Sequence, residues 1–154
     1  MKRLMQRGVV VAVVVLGLSG IALANDDQDE CSLKTLRGTY VFAATGHNIV
    51  AGVPQPKAIV EVIEFHGDGT LSVPAATRSV NGVVARSLPG GAGDYTVEPG
   101  CAGTIAFGGP GPTFDVFFSP DAEKLWMIQT TPNTVFQGTA TRLSQKRSRE
   151  RDWR

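Results

Sequence analysis

Glu61 is the residue in this chain whose type and setting best suit acid–base chemistry. It lies in the alternating run 58–66. One face of that run carries Ile59, Glu61, Ile63 and Phe65, and the other carries Val60, Val62, Glu64 and His66. Each face holds a Glu, so one carboxyl must be carried at least partly inside. The bulkier face points to Glu61. A carboxyl held among apolar side chains has a raised pKa and can donate or accept a proton. The plainer alternative is a Glu paired with Arg142 or Arg86, or one that faces solvent. Other reactive patterns are missing from the sequence. It has no G-x-S-x-G, and neither His47 nor His66 has a triad context. It has no H-E-x-x-H and no EF-hand loop. His66 and Asp68 flank a turn, and His47 follows Thr45-Gly46 in what reads as a loop, so no metal site is expected. The glycine clusters at 90–93 and 108–111 precede no helix, so they make no phosphate cradle. None of the asparagines has the N-x-[ST] context of glycosylation. No cofactor is implied, and Glu61 is the one weak catalytic candidate.

Lys2, Arg3 and Arg7, the apolar run 9–18 and Ala22-Leu23-Ala24 have the form of a secretory signal peptide cut before Asn25. The apolar stretch is short for a membrane span, and no stop-transfer segment follows it. The expected protein is therefore exported, periplasmic or secreted, with no stable membrane span after cleavage. Cys31 and Cys101 are the two cysteines, and in an exported domain they are expected to form a disulfide. Such a bridge, closing a long loop, contributes about 4 kcal/mol in the chain-entropy model. Two buried free thiols are the alternative. The C-x-x-C spacing of a zinc site is absent.

The elements that must position Glu61 are strands. Of 154 residues, 18 are Gly and 9 are Pro, and 19% are charged against 42% hydrophobic, which excludes a disordered chain and a coiled coil. The 15 Lys+Arg and 14 Asp+Glu nearly balance, but residues 25–143 hold 7 bases and 12 acids. A basic nucleic-acid binder is thereby disfavoured, and no nucleic-acid partner is expected. After a polar leader at 25–32, short β-type runs fill 33–143. They fall at 39–44, 58–66, 70–73, 77–80, 83–87, 94–97, 103–107, 113–118, 124–130 and 134–143, and the two runs around Pro74 can be one strand. Leu33 to Leu36 can make one short turn. Gly67-Asp68-Gly69, Asn81-Gly82, Gly108 to Gly111 and Ser119-Pro120-Asp121 supply turns between runs. Residues 144–154 lack an apolar face and read as a disordered basic tail. Eight to nine short strands joined by hairpins give an all-β, single antiparallel up-and-down barrel, which closes to hide its edges.

Alternation points Tyr40 and Phe42, then Tyr95, Phe107, Phe114, Val116, Phe118 and Phe136 inward, while the run 124–130 has two possible faces. The aromatic set, with Trp126 added from that ambiguous run, either lines a ligand pocket or fills an ordinary core.

Leu36-Arg37-Gly38-Thr39-Tyr40 opens the first strand, and 65–70 (Phe-His-Gly-Asp-Gly-Thr) forms the first hairpin. Asp94-Tyr95-Thr96-Val97, Cys101-Ala102-Gly103-Thr104 and Gly138-Thr139-Ala140 follow. With these motifs, residues 31–143 resemble small exported bacterial proteins with lipocalin-like or allene-oxide-cyclase-like barrels. Where lipocalins carry G-x-W, this chain has Gly38-Thr39-Tyr40. The resemblance implies that Arg142 stacks on Tyr40, a cation–π contact of order 1 kcal/mol. It also implies a barrel that binds a small hydrophobic ligand without catalysis. The ligand-binding set is then Tyr40, Phe42, Glu61, Ile63, Tyr95, Phe107, Phe114, Phe118, Phe136 and Arg142. The alternatives are a cyclase or isomerase that uses shape and Glu61 on a hydrophobic substrate, and a structural or partner-binding envelope protein. Oligomeric state is left open.

Overall fold

The structure, a computed structural model, describes residues 31–87 and 91–143. The expected signal peptide, residues 25–30 of the leader and the basic tail lie outside the described residues.

Nine strands follow one short 3-10 helix, Leu33–Leu36. They are β1 (Gly38–Val50), β2 (Val53–Phe65), β3 (Thr70–Val80), β4 (Val83–Ser87), β5 (Gly91–Tyr95), β6 (Ala102–Phe107), β7 (Thr113–Phe118), β8 (Lys124–Gln129) and β9 (Thr134–Arg142). Every pairing is antiparallel. β1 pairs with both β2 and β9, and β2 pairs with β3, so eight strands close into a barrel. β4 is the additional strand. It and β5 follow one another along the same side of β3, β4 against residues 76–80 and β5 against residues 70–73. The all-β, up-and-down barrel expected from alternation is the architecture of the chain.

Several boundaries differ from the sequence reading. β1 runs on through Gly46 to Val50, so His47 is a strand residue and not part of a loop. β2 begins at Val53 and carries Pro54 and Pro56, which lie beyond the reach of β3, where β2 is an edge and a missing N–H is tolerated. The first hairpin turn is therefore Ala51-Gly52, and residues 65–70 make the second. Ala51 and Gly52 (φ 48° and 77°) and Asn81 and Gly82 (φ 48° and 82°) have the paired left-handed backbone of tight hairpin turns.

β3 is one strand across Pro74. Val62 faces Ala75 and Glu64 faces Ser72, so Val73 and Pro74 together oppose Ile63 alone. This is a β-bulge, and Pro74 sits in it, where the ladder is already interrupted. The extra residue reverses the parity of β3. Leu71 and Val73 are buried before the bulge, and Ala76 and Arg78 line the barrel cavity after it.

β1 and β9 press together at Gly46 and Gly138. A Cβ on Gly138 would fall 2.6 Å from the Cα of Ala44, and one on Gly46 would fall 2.8 Å from the Cα of Phe136. The two glycines let the strands cross closely where the barrel wall bends.

One end of the barrel is packed solid. Leu36 on the 3-10 helix is fully buried, together with Tyr40, Ile63, Ile105, Val116 and Leu125 from six different elements. Phe65 meets Tyr40 and Tyr95 edge to face, at 5.3 and 5.0 Å between ring centroids. The Tyr95 hydroxyl donates to the Leu33 carbonyl at 2.9 Å and accepts from the Gly67 N–H at 3.0 Å. The Cys31–Cys101 disulfide, spanning 70 positions, fastens the segment before the helix to the turn before β6. These groups plug the barrel at this end.

Candidate functional site

The opposite end is open. A cavity of about 730 Å³ enters the barrel there, within the range that accommodates small-molecule ligands. Its apolar wall is aromatic. Phe42 and Phe107 each meet Phe114 edge to face, at 5.9 and 5.8 Å, and Phe136 tilts against Phe114 at 6.4 Å. All four line the cavity.

Its polar wall comes from β2 and β3, with one residue from β8. Glu61 faces Phe42 across one pairing and Ala76 across the other. It is 8% exposed, and no ion pair or hydrogen bond holds its carboxyl among the described residues. Burial pushes its pKa from 4.5 up to about 7, against the opposing pull of the Lys57 charge. Lys57 lies four residues toward the mouth on the same face of β2. Its ammonium donates to Gln129 Oε1 at 3.0 Å and sits 4.1 Å from the centre of the Phe136 ring. Burial, then repulsion from Arg78, lowers the Lys57 pKa. Arg78, exposed at the rim on β3, the buried Gln129 on β8 and Thr131 just after it add to the polar lining.

The residues singled out from the sequence divide between the two ends. Phe42, Glu61, Phe107, Phe114 and Phe136 line the cavity. Tyr40, Ile63, Tyr95 and Phe118 are buried in the packed part of the barrel and are not part of its lining. Arg142 belongs to the plugged end. Its guanidinium carbon lies 5.0 Å from the Tyr40 ring centre. It donates to the carbonyls of Arg37 at 2.7 Å, Thr35 at 2.9 Å and Ala122 at 3.2 Å. Tyr40 donates to the same Ala122 carbonyl at 2.9 Å, and burial raises its pKa to about 12. Glu61 and Arg142 therefore do not meet, and Arg86 is exposed on β4. Lys57 is the base beside Glu61.

Lys57, Arg78 and Gln129 were missed from the sequence. Lys57 continues the inward face of Glu61 and Ile59, but the prolines before it hid the strand. The bulge at Pro74 masked the face of Arg78, and the run 124–130 gave two readings for Gln129. That ambiguity also misplaced Trp126. It stands on the outer surface, facing Phe117 across the β7–β8 pairing. Together with Ile128 and Val60 these exposed side chains border an outer groove of about 670 Å³, floored by Ala43, Ala58 and Gly138. Small residues on β1 and β9 between bulky neighbours make this depression.

Among the described residues, no three His, Cys, Asp or Glu side chains gather as metal ligands, and no helix is long and apolar enough to cross a membrane. His66 and Asp68 instead organise a turn, in which Asp68 Oδ1 accepts from the Thr70 N–H and hydroxyl at 2.9 and 2.7 Å. The chain matches no protein-family model, no curated protein and no solved structure.

Proposed function

We propose that this protein is an exported, lipocalin-like binder that holds a small, largely apolar molecule in the open end of its barrel. The observation that carries this reading is the cavity itself, walled by Phe42, Phe107, Phe114 and Phe136 and blocked at its far end by a packed core. An eight-stranded barrel is just wide enough either to be filled or to hold one ligand, and this one divides its length between the two uses. The contact between Arg142 and Tyr40 supports the lipocalin resemblance, and the disulfide suits an oxidising compartment.

Titration with an uncharged, environment-sensitive dye such as Nile red tests the proposal. The dye should brighten and shift to the blue on saturable binding. Ala76→Phe, which adds a ring to the cavity, should weaken binding at least tenfold. Trp126→Ser, outside the barrel, should not. Binding that survives Ala76→Phe and vanishes in Trp126→Ser would move the site to the outer groove and favour a partner-binding protein.

One observation favours a second reading, a cyclase or isomerase. Glu61 is a buried carboxyl whose pKa of about 7 suits proton transfer near neutrality. It is the reading's sole acid–base group, so a Glu61→Gln variant that still converted a substrate would remove it.

A further inference from the structure

We propose that the molecule held in the open end carries a single anionic group, a carboxylate or its equivalent, seated against the β2–β3 wall between Lys57 and Arg78. This rests on the reading of the cavity as a binding site and specifies the chemistry of its occupant. Among the described residues the one ion pair joins Arg142 to Glu123, at the plugged end. Neither Lys57 nor Arg78 has such a carboxylate partner. Lys57 spends one of its three donors on Gln129, and no hydrogen bond occupies Arg78 among the described residues. Two cationic groups thus share one wall, close enough that Arg78 disfavours the charge on Lys57. An anion between them relieves that repulsion and accepts from both.

Glu61 lies one layer deeper, and its charge state sets how strongly the wall attracts an anion. The charged groups around it are Lys57 on its own strand and Arg78 on β3. β1, β8 and β9 present Phe42, Gln129 and Phe136, none of them charged. Protonated, Glu61 leaves the wall with two positive charges and offers an O–H donor. Ionised, it opposes the incoming anion. Preference for an anionic head group is therefore greatest in mildly acidic solution and declines as pH rises through the titration of Glu61.

The test uses three probes with one apolar body, dodecanoate, dodecanol and dodecylammonium, displacing bound Nile red below their micelle concentrations. At pH 6 dodecanoate should bind about tenfold tighter than dodecanol, and dodecylammonium weakest. At pH 8.5 the advantage of the acid should shrink severalfold, and in Glu61→Gln it should no longer change with pH. Arg78→Glu should reverse the order of acid and amine. Each comparison is a ratio within one variant, so a general change in folding cancels. If the alcohol or the amine equals or exceeds the acid at pH 6, the head-group inference is wrong while the cavity stands as a binding site. If Nile red itself does not bind, the reading of the cavity falls, and this inference with it.

Discussion

Replacing Glu61 by Gln should make the folded protein more stable in alkaline solution and leave it nearly unchanged in acid. The carboxyl titrates near 4.5 in the unfolded chain and near 7 in the barrel, because its charged form is poorly hydrated there. Between those values the native state holds a proton that the unfolded state has released. Stability therefore falls as pH rises from about 4.5 to about 7 and then stays at its lower level. At about 1.36 kcal/mol per pH unit, a shift from 4.5 to about 7 amounts to about 3 kcal/mol. Gln keeps the size and the hydrogen-bonding capacity of the neutral acid but has no charged form, so it removes this loss. Urea unfolding from pH 5 to pH 8.5, with the disulfide intact, measures the effect. Part of the loss has already occurred at pH 5, so the difference between variant and wild type should grow by about 2.5 kcal/mol across that range, or roughly 1.5 M in the urea midpoint at a typical slope for a domain of this size. Parallel curves for the two proteins would refute the claim that Glu61 is buried in ionisable form. A variant less stable at every pH would show that the ionised carboxyl has a partner in the fold.

Other expectations follow from the plugged end and the turns. Arg142→Lys keeps the charge but cannot reach three carbonyls and cover Tyr40 at once, so it should cost about 2 kcal/mol in chemical denaturation. Reducing the Cys31–Cys101 bond, or replacing both residues by Ser, should lower stability by about 4 kcal/mol, and calorimetry should show the fall in melting temperature. Gly138→Ala should prevent formation of the native barrel, seen as loss of near-ultraviolet circular dichroism, because the new methyl meets backbone of β1. Ala51→Asn should stabilise by about 0.5 kcal/mol, since Asn accepts the left-handed backbone of the first hairpin more readily than Ala.

Much of the barrel was legible because alternation survives wherever both faces of a strand differ. Phe114, Val116 and Phe118 against Thr113, Asp115 and Phe117 gave β7 and its inner face correctly, and Glu61 was placed on the buried face for the same reason. The reading stopped where backbone exceptions interrupt the pattern. Gly46 looks like a strand terminator but answers the close approach of β9, a long-range contact no local rule contains. Pro54 and Pro56 look like loop residues but occupy an edge. In β8, Trp126 and Ile128 are as apolar as Leu125 and Met127, so only the closed wall decides which pair faces inward. The division of the barrel into a plugged and an open end depends on the helix Leu33–Leu36 lying across one mouth, and nothing in its four residues announces that position.

The bulge at Pro74 gives β3 one residue of slack. Removing that residue would leave Val73 alone opposite Ile63 and restore regular alternation along the whole strand, with Leu71, Val73, Ala76 and Arg78 all still turned inward. The positive charge at the entrance would therefore survive a single-codon deletion at this point, because the pairing of β3 with β2 on either side of the bulge is already the pairing of an uninterrupted ladder.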